Sequence, residues 1–242
     1  MRALFFILMY VVMVFANSDI PKNFFYYKDS LKINLDTLAL KVFTNTIGAE
    51  NYYPYFSGMF EHESCITITS SRCWSAKSEL LTRWPNGKIR EQGVGLGQIT
   101  RAYSESGIIR LDVLTDLKKR YPRELSDLTW DNIKDRGDLQ IRAVVLLWLS
   151  NYNRIPEHIS DFDKMAISDS AYNGGYGFII KDRKSCGLKA NCDPNLWFNN
   201  LEKMNNRGTK ILYGTRTAND INRHHVRDVL LDKMNKYYIV DW

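Results

Sequence analysis

An unbroken apolar run from Ala3 to Ala16 follows Arg2 and gives way at once to Asn17-Ser18-Asp19. A positive end, a short apolar core and then small residues make up the order of a secretory leader. The run holds 14 residues, short of the roughly 20 that cross a bilayer as a helix. Residues 1–16 are therefore assigned as a signal peptide cleaved after Ala16, with Ser18 the next best site. The competing assignment is a short releasable anchor, which adds a transient membrane contact through the N-terminal segment. No later apolar run is long enough to span a membrane.

Beyond the leader the apolar positions follow a helical period. Leu35, Leu38, Leu40, Val42 and Phe43 predict a helix over 35–47. Residues 54–63 form the next one, ending at Glu63, and Thr100 is placed to cap another running through Arg101-Ala102-Tyr103. Residues 138–153 are apolar on nearly every side, the pattern of a central buried helix. Residues 162–172 read as a helix stopped by Gly174-Gly175. Residues 220–237 read as a last amphipathic helix, with Val226, Val229, Leu230 and Met234 on one side. Residues 64–94 and 174–195 read as loops. Residues 17–33 are polar and aromatic and carry no deciding period. Residues 17–49 are assigned as an N-terminal segment packing on one domain of residues 50–242. The fold class is mainly α.

Four cysteines, at 65, 73, 186 and 192, allow three pairings. Their spacings are not those of a zinc ribbon. Export favours disulfides, and the local pairs Cys65–Cys73 and Cys186–Cys192 are the first choice, with a cross-bridge the alternative. The net charge is +6, or +5 once the leader removes Arg2. Without any block of five like charges there is no arm for nucleic acid. The basic balance serves solubility alone or, in the functional reading of an exported chain, an acidic cell-wall polymer as partner. Metal and nucleophile motifs are missing: His62-Glu63 has no histidine at position 66, and no G-x-S-x-G occurs. No cofactor or metal is expected.

The remaining chemistry gathers in three short stretches. The first is Glu63-Ser64 at a helix end. A glycosidic oxygen is a poor leaving group until protonated, and an acid walled by apolar groups keeps its proton because desolvation disfavours its charged form. Phe60 and Met59 are placed to supply those walls. Glu61 is the rival acid, but residues two apart on a helix point about 200° from each other, so only one of the two faces a cleft. His62 reads as a surface residue. The second stretch is Glu91-Gln92-Gly93-Val94-Gly95-Leu96-Gly97-Gln98, a tight backbone passage. Its glycines permit close approach to a substrate or a helix, and Gln98 offers a donor and an acceptor. The third is Ala171-Tyr172-Asn173-Gly174-Gly175, where a phenol and a carboxamide end a helix.

Glu63-Ser64, then Gly95-Leu96-Gly97-Gln98-Ile99, then Ala171-Tyr172-Asn173-Gly174-Gly175 resemble the motifs of the soluble lytic transglycosylase domain, related to goose-type lysozyme, over roughly residues 50–235. Asp131-Asn132-Ile133 also resembles that family's step into its central helix. The resemblance implies a lysozyme-like helical fold with a glycan groove. It implies an exported, periplasmic or extracellular lyase that cuts the MurNAc–GlcNAc β-1,4 bond of peptidoglycan strands and closes a 1,6-anhydro ring. Glu63 would be the single acid/base, with Ser64, Gly95, Gln98, Tyr172 and Asn173 on the substrate. Phage lysis, secretion or conjugation machinery is the setting implied.

Three departures stand out. Thirty-one residues separate Glu63 from Gly95, more than the family's short connection. Gly97 replaces a methionine, which would loosen one wall of the groove. His225 stands where the family carries a tyrosine, as an auxiliary to Glu63. Two further functions compete. In a hydrolytic lysozyme, a second acid such as Glu91 activates water. A non-catalytic wall-binding or assembly protein would keep the fold without the reaction.

Overall fold

The computed structural model describes residues 19–38, 52–209 and 211–242. The expected leader and most of the helix expected over 35–47 lie outside them. The first described helix, α1 (Phe24–Leu38), instead begins within the aromatic stretch left open by the sequence and ends at Leu38. Phe24, Leu31 and Leu35 bury its inner side.

The helical period carries over well. The helix α2 spans Tyr52–Ser64. Pro54 is tolerated there because first-turn N–H groups have no partner inside the helix. After the sheet come α3 (Val113–Arg120), α4 (Gly137–Tyr152), α5 (Asp161–Gly174), α6 (Tyr176–Gly187) and α7 (Ala218–Arg227). The last continues through a π-turn, Asp228–Lys233, into Met234–Lys236. Twelve of the sixteen residues of α4 are buried, so it is enclosed on every side. The helices α1, α3 and α5 all pack against it. The Trp148 ring is fully buried among Tyr55, Phe56 and Tyr152, at centroid distances of 5.4, 5.2 and 4.9 Å. Truncating such a ring to alanine costs about 3–5 kcal/mol.

Helix ends follow local chemistry. Ser160 caps α5 by accepting from the Asp163 amide at 3.2 Å, and Gly175, at φ +87°, stops the helix. Thr217 and Asp220 form a reciprocal capping box that starts α7.

The region between α2 and α3 overturns two expectations. Residues 64–94 are not simply a loop, and Thr100–Tyr103 is not helical. Four strands, β1 (Glu79–Arg83), β2 (Ile89–Val94), β3 (Ile99–Tyr103) and β4 (Ile109–Asp112), form an antiparallel meander in chain order. Pro85-Asn86-Gly87 turns the first hairpin, with Gly87 at φ +81°, and such a triplet between short alternating segments is a hairpin signal. A second two-stranded ribbon, β5 (Ile211–Tyr213) with β6 (Arg216–Thr217), precedes α7. The segment 174–195 is also corrected, because most of it is α6. The whole is mainly α with a small antiparallel sheet.

Both local disulfides are present, Cys65–Cys73 and Cys186–Cys192, and no cysteine is free among the described residues. Two disulfides fit an oxidising compartment. No described helix is long and apolar enough to cross a membrane.

Candidate active site

A cleft of about 370 Å³ opens between the helices and the sheet. Helices α2, α3, α4, α5 and α7 and the sheet line it. On α2, Tyr52, Phe56, Met59 and Phe60 form the inward stripe, and Glu63 continues it at i+3 and i+4. The last turn of that stripe leaves the core, so its carboxyl group reaches the cleft with 14% of its side chain exposed. Met59 and Phe60 are fully buried below it and do not line the cleft, contrary to the expectation that they wall the acid. Glu61 points the other way, as helical geometry demands. It is buried against Lys236 Nζ at 2.5 Å and the Tyr237 hydroxyl at 2.6 Å.

His225 on α7 joins Glu63 to the interior. Its Nε2 lies 2.8 Å from Glu63 Oε1, and its Nδ1 lies 2.7 Å from Asp169 Oδ2. Asp169 is fully buried on α5 and also accepts from the Tyr55 hydroxyl at 2.8 Å. Burial works against a charged imidazole. The Asp169 carboxylate and the hydrogen bonds to Asp169 and Glu63 outweigh it and push His225 up to about 10. The ring is therefore an imidazolium at neutral pH, and both N–H groups donate. Glu63 Oε1 is occupied by this bond, while Oε2 has no protein hydrogen bond among the described residues.

His62 is not a surface residue. It lines the cleft beside His225, with ring centroids 4.3 Å apart, and its Nδ1 bonds Asp228. Burial and the neighbouring His225 hold His62 below the usual imidazole range, against the pull of Asp228. The two histidines thus differ in charge at neutral pH.

Tyr172 and Asn173 follow Asp169 at i+3 and i+4 on α5, so one helix face supplies all three. The Tyr172 hydroxyl donates to the Gly97 carbonyl at 2.5 Å. Burial first, then the nearby Glu63 and Asp169, raise its pKa well above the ordinary phenol value, so it remains a donor. Asn173 is exposed at the cleft and held through its Oδ1 by Asn222 Nδ2 at 3.0 Å. Asn222 is anchored in turn to Ser170, whose hydroxyl donates to its Oδ1 at 2.7 Å. Gln98 lines the cleft in a left-handed conformation, φ +47°. Its Nε2 donates to the Gly95 carbonyl at 2.8 Å, while its buried Oε1 has no partner.

Three expectations fail on placement. Ser64 is buried away from the cleft, where its hydroxyl donates to the Phe60 carbonyl at 2.7 Å and accepts from the Trp74 amide at 3.0 Å. It ties the disulfide-closed turn to the end of α2. Gly95 does not line the cleft either. A Cβ there would lie 2.0 Å from Gln140 Oε1, and φ is +83°, so the helix α4 rather than a substrate requires the glycine. Gly97 does not loosen the groove wall, because Val144 Cγ2 and the Tyr172 hydroxyl fill the space, 2.3 and 2.8 Å from where a Cβ would stand.

Glu91 does line the cleft, from β2, but it is paired with Arg110 Nη2 at 3.2 Å and Arg90 Nη2 at 3.7 Å. Neither disulfide lines the cleft. The residue that sequence reading missed is Asp169. A buried aspartate four positions before the Asn173 motif was a usable signal, since a carboxylate inside an apolar helix face needs a partner. No family model, no curated protein and no solved structure matches the chain.

Proposed function

We propose that this protein is an exported peptidoglycan lytic transglycosylase with a lysozyme-like fold, and that Glu63 is its acid and base. The hydrogen-bonded line Asp169–His225–Glu63 at the bottom of the cleft carries the reading. Two disulfides and the leader at residues 1–16 support export to the periplasm or beyond.

In this reading a glycan strand lies along the cleft between Gln98 and Tyr172–Asn173, with the scissile oxygen at Glu63 Oε2. Glu63 gives its proton to that oxygen while the C1–O4 bond breaks and the electron pair leaves with O4. His225 donates to Oε1 throughout, and so stabilises the carboxylate that proton transfer creates. The muramyl 6-hydroxyl then attacks C1, its proton passes to Glu63, and the new O6–C1 bond closes the anhydro ring. One carboxyl group serves both steps. Two-carboxylate glycosidases divide that work between acids placed across the bond.

The pairing of Glu91 with two arginines weighs against its use as a base that activates water, because abstracting a proton would cost it both ion pairs. An imidazolium held against a cleft carboxyl group favours catalysis over wall binding alone. Exchange of Glu63 for glutamine tests the reading. Turbidity clearing of peptidoglycan should be abolished, while folding and wall binding remain. Clearing near the wild-type rate would reject Glu63.

A further inference from the structure

The sheet carries a feature that the reaction above leaves unused. Its register contains two β-bulges. Thr82 pairs with Glu91 and Arg83 with Ile89, so Arg90 is the extra residue in β2. Ala102 pairs with Leu111 and Tyr103 with Ile109, so Arg110 is the extra residue in β4. A bulge re-aims a side chain, and here both bulged residues are arginines that converge on the same carboxylate, Glu91.

Glu91 lies on the boundary between the cleft and an adjoining recess of about 450 Å³. Arg90, Arg110 and Trp84 line that recess. The arginines are not saturated. Arg110 uses Nε on the Tyr103 carbonyl and Nη2 on Glu91. Arg90 holds Glu91 only loosely, and its buried Nε has no partner. Glu105 lines the recess from the β3–β4 turn but forms no ion pair with either arginine. Among the described residues Nη1 of both arginines carries no hydrogen bond, so the two guanidinium groups that line the recess around one carboxylate retain donors for a second.

We infer that Arg90 and Arg110 form a carboxylate-binding subsite that continues the glycan groove and engages the acidic substituent of a muramyl sugar. The inference rests on the reading of the cleft as a glycan groove. Two carboxylates share this chemistry: that of the lactyl group on a bare strand, and those of the peptide attached to it.

The test uses the Glu63→Gln chain, which binds without cutting, so the readout does not depend on catalysis. Binding is measured to peptide-bearing strands, to strands stripped of peptide, and to both after their carboxyl groups are converted to amides. The parent binds native strands more tightly than amidated ones. Replacing Arg90 and Arg110 together with glutamine removes that preference, with about tenfold weaker binding to native strands and none lost on amidated strands. A loss confined to peptide-bearing strands assigns the peptide carboxylate, and a loss that persists on stripped strands assigns the lactyl group. Glu91→Gln, which removes the competing carboxylate, tightens binding to native strands. Equal binding of native and amidated strands by the parent overturns the inference, as does an equal loss on both. Failure to bind any strand, amidated ones included, would instead count against the glycan groove itself.

Discussion

His225 Nε2 stands 2.8 Å from Glu63 Oε1, and the same ring reaches Asp169 with its other nitrogen. The α2 and α7 residues are 162 positions apart in the chain, and α5 supplies the buried carboxylate that fixes the ring between them. If His225 stabilises the carboxylate formed on Glu63, then His225→Gln should lower kcat by about 10²-fold while KM changes little. Asp169→Asn should act in the same direction, because it removes the charge that keeps the imidazole protonated. Steady-state digestion of purified peptidoglycan measures both. Rates within twofold of wild type would contradict the role.

The same ring sets a pH dependence of stability. Its folded pKa, about 10, lies above the ordinary 6.5. Stabilisation by the imidazolium is therefore complete below pH 6.5, declines across the interval and is lost as pH rises through 10. His62 is shifted in the opposite direction, so its effect falls at and below the ordinary imidazole range. Urea midpoints at pH 6.5, 8 and 9.5 should fall for the wild type and stay level for His225→Gln. Parallel falls in both proteins would show that the decline has another source.

Gly97→Ala tests the packing beneath the groove. The added carbon meets Val144 and the Tyr172 hydroxyl, and overpacking of this kind costs about 1–3 kcal/mol. Because Tyr172 is displaced from the Gly97 carbonyl, activity should fall along with the denaturation midpoint. An unchanged midpoint would mean that the wall yields without resistance.

The Cys65–Cys73 bridge closes a short loop directly after Glu63 and Ser64. Replacing both cysteines with serine should lower stability by about 2–3 kcal/mol. Activity should fall further than after the matching change at Cys186 and Cys192, since that bridge ties the last turn of α6 to the segment after it and not to the helix that carries Glu63. Equal activity in the two variants would remove any role of the first bridge in holding the end of α2.

Much of this was legible in the chain. The helices α2, α4, α5 and α7 fall on the segments that apolar spacing and helix stops mark out, α4 most plainly because it is apolar on nearly every side. That Glu63 and Glu61 point to different sides follows from the helical angle alone; which of them faces the cleft is set by tertiary packing of Glu61 on Lys236 and Tyr237. The sheet was not read, because β2 and β3 contain Gly93, Gln92 and Arg101, which interrupt alternation. Only the Pro85-Asn86-Gly87 turn announced the hairpin. Ser64 and Gly95 were assigned to substrate through adjacency to motif residues. Tertiary packing on Trp74 and Gln140 accounts for both instead. Asp169 escaped notice because its partner, His225, lies 56 positions further along the chain. His62 read as exposed because the helix that covers it, with Asp228, comes at the far end of the sequence.

The mass spectrum of fragments released from peptidoglycan tests the central claim most directly. Fragments ending in 1,6-anhydromuramic acid, each one water lighter than the hydrolysis product, are the result expected if Glu63 hands its proton to the bridge oxygen and takes one back from the sugar's own hydroxyl. Fragments with reducing ends alone, or no soluble fragments, would contradict it.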